Sequence, residues 1–213
     1  MRHVQATQAK AGFSGLIAAV EAGEKIAIVR RGRVVACLVP HEPKLASEVL
    51  APLWDQTSSA EITTLPRRQT SGQSQYQAFK MRYLLDTNIW IAAIKGVKPV
   101  RERLERTPSD DIVLSPIVLG ELHLGVEKSQ FKKKNAVALE LIAQGFEVIP
   151  ITAETSKVYA QIREQLEQSG RIIGANDLWI AAQALSEEAC LVTDNVAEFS
   201  RVSGLKWENW LEP

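Results

Sequence analysis

Cysteine and histidine are scarce in this 213-residue chain: Cys37 and Cys190 on one side, His3, His41 and His123 on the other, all scattered. That argues against a disulfide framework, a CxxC metal site and a zinc cluster. Long apolar runs are missing too. No stretch approaches the ~20 apolar residues of a membrane span, and the N-terminus MRHVQATQAKAGF lacks the apolar core of a signal peptide. The expectation is a reduced, cytoplasmic protein with no membrane partner. Net charge is also zero, but only by cancellation. Residues 1–80 hold ten Lys and Arg against six Asp and Glu, whereas residues 81–213 hold 15 against 19. A basic segment joined to an acidic one suggests two jobs, one of them on nucleic acid.

What the chain does have is a series of apolar stretches that contain or end on an acid. In residues 81–96, MRYLLDTNIWIAAIKG, a short run of strand type from Tyr83 to Leu85 ends on Asp86. Thr87 is placed to cap a helix carrying Ile89, Ile91, Ala92 and Ile94. A carboxylate at the mouth of a buried strand, where a helix begins, is a common place to hold a metal or a phosphate. Residues 111–115 read as the next strand, and Ser115-Pro116 as a helix start, cap followed by proline. That apolar helix contains Glu121, which is costly to bury unless something cationic meets it. Phe131 and Lys132 to Lys134 open a further helix to about Gln144, its lysine run reading as a solvated face. Residues 147–151 form a strand, and Thr152 caps a long helix ending near Ser169-Gly170. Asp177 falls on the first turn of the buried helix that follows, and the strand from Ala189 ends on Asp194 and Asn195.

Singly, each acid has a bland explanation: a polar seam shared with His123 for Glu121, the helix dipole for Asp177, a turn for Asp194. As a set they point to one divalent cation. Strands alternating with helices imply a parallel α/β sheet, whose ligands gather at the carboxyl ends of its strands. Carboxylates clustered without Cys or His suit Mg²⁺ or Mn²⁺, ions able to activate water and stabilise charge in phosphodiester hydrolysis.

The first forty residues read differently. A helix capped by Thr7 and running to about Ala22 places Phe13, Leu16, Ile17 and Val20 on one stripe. Two strands then flank Arg31-Gly32 and close at Pro40. Both faces of this hairpin are apolar, so dimerisation is the natural way to cover it. Leu45, Val49 and Leu53 suggest a short helix disturbed at Pro52. Residues 57–78 have linker composition, and the apolar groups Leu45, Leu50, Leu53, Trp54, Ile62, Leu65 and Phe79 look like anchors for a partner groove.

Two resemblances join these readings. Residues 4–40, with a helix, Gly23-Glu24, an RRG hairpin and a closing proline, resemble the N-terminal module of Phd/YefM-type antitoxins. The set LLDTN, Glu121, GANDLWIAA, LVTDNVAEF and SGLKWENW resembles PIN-domain toxins of VapC type. Met81 looks like an original start, so the chain resembles an antitoxin and its toxin read as one polypeptide. The implied architecture is a PIN-like parallel sheet flanked by helices over 81–213. A small α+β dimerisation and DNA-binding domain over 1–40 and a toxin-neutralising tail over 41–80 precede it.

The resemblance implies that Asp86, Glu121, Asp177 and Asp194 are catalytic and hold Mg²⁺ or Mn²⁺. Asn195 is the alternative to Asp194, and Asn88 and Thr193 orient the carboxylates. Arg2, Lys10, Arg30, Arg31 and Arg33 become candidates for operator DNA contact. Trp54 with Arg67 or Arg68 becomes a candidate for neutralising the toxin, by contact within the chain or swapped onto a neighbour. The implied function is a metal-dependent endoribonuclease acting on RNA, restrained by its own N-terminal part and autorepressing through it, in a homodimer or higher homo-oligomer. A competing account is mainly a DNA-binding repressor with a permanently occluded nuclease. A third is an interaction module whose acids only make salt bridges.

Overall fold

A computed structural model describes residues 1–41, 44–54 and 81–212. It divides into two compact units, Met1–Pro43 and Lys44–Pro213. Arg67, Arg68, Ile62, Leu65 and Phe79 lie outside the described residues.

In the first unit, β1 (Arg2–Gln5) lies parallel to β2 (Ile26–Arg30), which pairs antiparallel with β3 (Arg33–Leu38). The hairpin turn takes positive φ at both Arg31 and Gly32, 51° and 74°, the mirror-image turn whose twist suits two joined strands. The expected single helix is two, α1 (Ala6–Ala11) and α2 (Phe13–Glu21), because the chain leaves helical geometry at Gly12. The cap expected at Thr7 falls instead at Gln5, the last residue of β1, so Thr7 lies inside α1. The core here is small: Val4, Ala9, Leu16 and Ile26, with Ala19, Val20, Ile28 and Leu38 against it. Phe13, Val34 and Val35 are more than half exposed.

In the second unit, α3 (Ala46–Trp54) comes first and includes Pro52 in its last turn. The sheet then takes β4 (Tyr83–Leu85), β5 (Ile112–Leu114), β6 (Glu147–Val148), β7 (Cys190–Val192) and β8 (Trp207–Glu208) in the order β6-β5-β4-β7-β8, every pair parallel. The helices are α4 (Thr87–Ile94), α5 (Lys98–Leu104), α6 (Pro116–Lys128), α7 (Lys132–Gly145), α8 (Ala153–Gln168), α9 (Ala175–Ser186) and the short α10 (Val196–Phe199). From β4 the chain builds outward to β5 and β6, then returns to the other side of β4 for β7 and β8. That reversal opens a crevice at the carboxyl ends of β4 and its neighbours. The central strands are apolar on both faces because helices cover both, and β5 and β7 are buried at every residue.

The helix α3 shares this core. Ala46, Val49 and Leu50 belong to one buried cluster with Trp90, Leu104 and Ile142. Its start is tied to the loop before β5, Ala46 N–H donating to Thr107 O at 2.8 Å and Ser109 N–H to Lys44 O at 2.7 Å. At its end Trp54 Nε1 donates to Ala93 O at 2.8 Å, and the Arg101 guanidinium lies 4.6 Å from the indole centroid. Gly96, at φ 67°, is the one residue type that leaves room there: a Cβ would sit 3.2 Å from Trp54 Cδ1. The expected anchors Leu50, Leu53 and Trp54 therefore pack on this unit, whereas Leu45 makes an isolated antiparallel bridge with Pro108.

Candidate metal centre

The carboxyl ends of β4 and β7 and the starts of α4 and α9 bring the acids together. Asp86, rather than Thr87, caps α4: its Oδ1 accepts from Thr87 N–H at 2.7 Å. Asp satisfies the first free amide as well as Thr does and, standing before it, leaves the Thr87 hydroxyl free to donate to Glu121. Asp86 is 6% exposed, and its Oδ2 accepts from the fully buried Thr193 at 2.8 Å. Ser115 caps α6 by accepting from Ile117 N–H at 3.1 Å, which sets the turn that carries Glu121. Asn176 Nδ2 donates to the other Glu121 oxygen at 2.7 Å. Asp194, exposed beyond β7, accepts from Asn88 Nδ2 at 3.0 Å, while Asn195 N–H donates to Thr193 Oγ1 at 3.0 Å. Both second-rank residues named from sequence, Asn88 and Thr193, thus touch acids.

Asp177 has a partner that the sequence reading did not single out. Glu198, on α10, shares a hydrogen bond with Asp177, and its Oε2 accepts from Gly174 N–H at 3.1 Å. Nothing in the quoted LVTDNVAEF marks Glu198, which lies in the four-residue α10 and meets Asp177 only through the fold. A Cβ at Gly174 would lie 2.9 Å from Asp177 Oδ2, so the carboxyl approaches where only glycine gives it room. Thr87 and Asn176, the donors to Glu121, were missed as well.

The electrostatics follow from this crowding. Burial pushes the Asp86 carboxyl above the ordinary aspartate range, against its two hydrogen bonds, and Glu121 and Asp194 push it the same way. Asp177 is pushed up to about 7, by burial first, then by Glu198, then by Asp86 and Glu121. Glu198 goes down, held by the Gly174 amide and by the Asp177 hydrogen bond. The two shifts run in opposite directions, as they do when neighbouring carboxyls share a hydrogen bond and Asp177 is the one that holds on to its proton longer. Like charges gathered this closely favour a bound cation or a retained proton. The available donors are all oxygen, which fits Mg²⁺ or Mn²⁺ and not zinc. Among the described residues no group of three or more His, Cys, Asp or Glu side chains is placed, as it stands, to hold a metal ion. Glu121 and Asp194 are instead engaged by Thr87, Asn176 and Asn88.

The candidate DNA-contact residues lie apart from this centre in the sequence. Arg2, Lys10, Arg30, Arg31 and Arg33 are all exposed in the first unit, with Arg30 and Arg33 paired across the hairpin and Arg2 3.5 Å from Glu24.

Known proteins match the second unit. Residues 83–205 match the PIN domain family. The chain is 43% identical over 132 residues to "Ribonuclease VapC2" of Rickettsia felis, covering 61% of this chain and 98% of that protein. It is 38% identical to the "tRNA(fMet)-specific endonuclease VapC" of Shigella flexneri, with the same coverage. A crystal structure of VapBC2 from Rickettsia felis, bound to a DNA fragment from its promoter, superposes with a TM-score of 0.57 at 41% identity, covering 61% of this chain and 99% of that one. This chain belongs to the PIN-domain family, and its PIN domain is of the VapC ribonuclease kind.

Proposed function

We propose that the chain is a divalent-metal-dependent endoribonuclease joined to an antitoxin-like N-terminal part that restrains it and binds operator DNA. The meeting of Asp86, Glu121, Asp177, Asp194 and Glu198 at the carboxyl edge of the parallel sheet carries the nuclease reading. Asp86, Glu121, Asp177 and Asp194 would hold Mg²⁺ or Mn²⁺. Such an ion, when bound, activates water and stabilises charge on phosphate. Thr193 and Thr87 orient Asp86 and Glu121 by donating to them, and Asn176 and Asn88 do the same for Glu121 and Asp194. In the metal-free protein the Asp177–Glu198 pair retains a proton, which a cation held by Asp177 would displace, so metal binding releases it. The acids repel RNA until a cation is present, so binding and cleavage both need it. One relative carries the name of a tRNA(fMet)-specific endonuclease, so tRNA, with its unpaired loops, is the first substrate class to test.

The restraint rests on α3. This helix precedes the PIN domain in sequence yet is built into its core, so the segment from Lys44 engages the nuclease within a single chain. Residues 55–80 continue from there, Arg67 and Arg68 among them, and we assign to those arginines the neutralisation of the carboxylates. The first unit, with its five exposed basic residues and uncovered β3, is assigned dimerisation and operator binding.

The test is RNA cleavage with Mn²⁺ by the intact chain and by the same folded protein after cutting at a protease site placed within 57–80. Cleavage should rise on cutting and vanish in Asp86→Asn. Activity unchanged by Asp86→Asn would remove the site. Operator binding with no cleavage even after cutting would favour the repressor account.

A further inference from the structure

Residues 128–134, KSQFKKK, hold four lysines and no acid, inside a half of the chain where acids outnumber bases 19 to 15. Lys128, Lys132, Lys133 and Lys134 are exposed, and among the described residues only Lys132 has an ion-pair partner, Glu127 at 3.1 Å. A solvated helix face would account for the lysines. It does not account for Phe131, which stands between them 70% exposed. An aromatic side chain left in water forgoes about 1.5–3 kcal/mol of burial. Its position is also fixed. Ser129 Oγ accepts from Phe131 N–H at 3.0 Å and from Asn135 Nδ2 at 2.9 Å, and Asn135 N–H donates to Phe131 O at 3.0 Å. The corner between α6 and α7 thus presents the ring on a braced turn.

The same helix connects this corner to the acids. Glu121, Leu124 and Lys128 recur at i, i+3 and i+7, one face of α6, and the last two are exposed. At 1.5 Å per residue Lys128 lies about 10 Å along the axis from Glu121, a distance that a short single-stranded segment spans. Beside that line Gly125 leaves open space, with nothing within 4 Å of a Cβ built there. We infer that the α6–α7 corner is a platform for single-stranded RNA, Phe131 stacking a base and Lys128 and Lys132 to Lys134 holding phosphates, so that the strand runs along α6 to the carboxylates. The inference rests on the ribonuclease reading. Residues 81–213 carry more acids than bases, so a polyanionic substrate gains from a basic foothold, and an exposed ring suits unpaired bases rather than a duplex.

The experiment uses the full chain and a fluorescent single-stranded RNA carrying 4-thiouridine, with Mn²⁺ present. Photocrosslinks should map to the peptide holding Phe131. Phe131→Ala should weaken the RNA Kd by roughly 5- to 100-fold, and Phe131→Trp should restore it. Replacing Lys133 and Lys134 by Gln should lower the slope of log affinity against log salt by about 1.4. None of these exposed substitutions should move the unfolding temperature. Equal Kd and salt slope in all variants, or crosslinks confined to other peptides, would overturn the platform. A chain that cleaves RNA once cut within 57–80, yet binds it equally well without Phe131, loses the platform and keeps the nuclease. One that binds through Phe131 and never cleaves keeps the platform and loses the nuclease. One that does neither loses both.

Discussion

Asp177 and Glu198 show how much a single contact can change the behaviour of an acid. Asp177 is raised to about 7 from an ordinary 3.8. Between those values the folded protein keeps a proton that the unfolded chain has released. Stability of the metal-free protein therefore falls as pH rises through that window, and the whole cost is present above it. Glu198, lowered, works in the opposite direction, but below its own ordinary value of 4.5. Thermal unfolding in EDTA from pH 4.5 to 8 should show the decline, and Mn²⁺ should remove most of it. Asp177→Asn should flatten the profile and raise the unfolding temperature at pH 7.5 by a few degrees, while abolishing cleavage. A steeper profile in that variant would contradict the assignment. At this scale the sequence was informative where an acid ended, interrupted or opened an apolar run. Asp86, Glu121 and Asp177 stood out that way, because a buried charge in an apolar stretch is conspicuous. Glu198 did not, since it lies in a short helix with no apolar period of its own, and its role comes entirely from Gly174 and Asp177 approaching it.

Among the elements, α3 carries the clearest consequence. Its periodicity was legible, Leu45, Val49 and Leu53 marking a helix that ends near Pro52, but its location was not, because a nine-residue amphipathic helix carries no address. The address is in the partner: a Cβ at Gly145, the last residue of α7, would collide with Val49 Cγ1. Gly145→Ala should therefore loosen α3, costing about 1–3 kcal/mol as overpacking does. Hydrogen exchange over 46–54 should quicken, with the strands of the sheet protected as before. Slow exchange unchanged by that substitution would mean α3 accommodates the methyl. Where elements were misjudged, they were short. The expected strand over 147–151 is only β6, Glu147–Val148, ending before Pro150, and the two-residue β8 lies in SGLKWENW without any alternation to announce it. Such edge strands are defined by pairing to β5 and β7, which is tertiary information.

For the whole molecule, the two compact units divide between Pro43 and Lys44 rather than at the 80/81 boundary across which the charge imbalance was counted, because α3 packs into the core of the second unit. The uncovered face was foreseen, since both sides of the hairpin over β2 and β3 are apolar and the small core cannot cover both. Val34 and Val35 are 54% and 58% exposed. Val35→Glu should shift the full chain to a smaller species in sedimentation and weaken operator binding at least tenfold, through loss of the second half-site contact. RNA cleavage after cutting within 57–80 should persist. An unchanged sedimentation coefficient would place the self-association elsewhere.

One consequence of α3 reaches into genetics. Leu50 is fully buried in the cluster that also holds Leu104 and Ile142, so damage to that helix harms the nuclease's own interior. Under the proposed restraint, an allele that frees the toxin by wrecking residues 46–54 would also handicap it at high temperature. Selecting lethal alleles in a host should then recover lesions downstream of Trp54 and few within the helix. A harvest dominated by Val49 and Leu50 would show that guard and weapon come apart more easily than their shared packing allows.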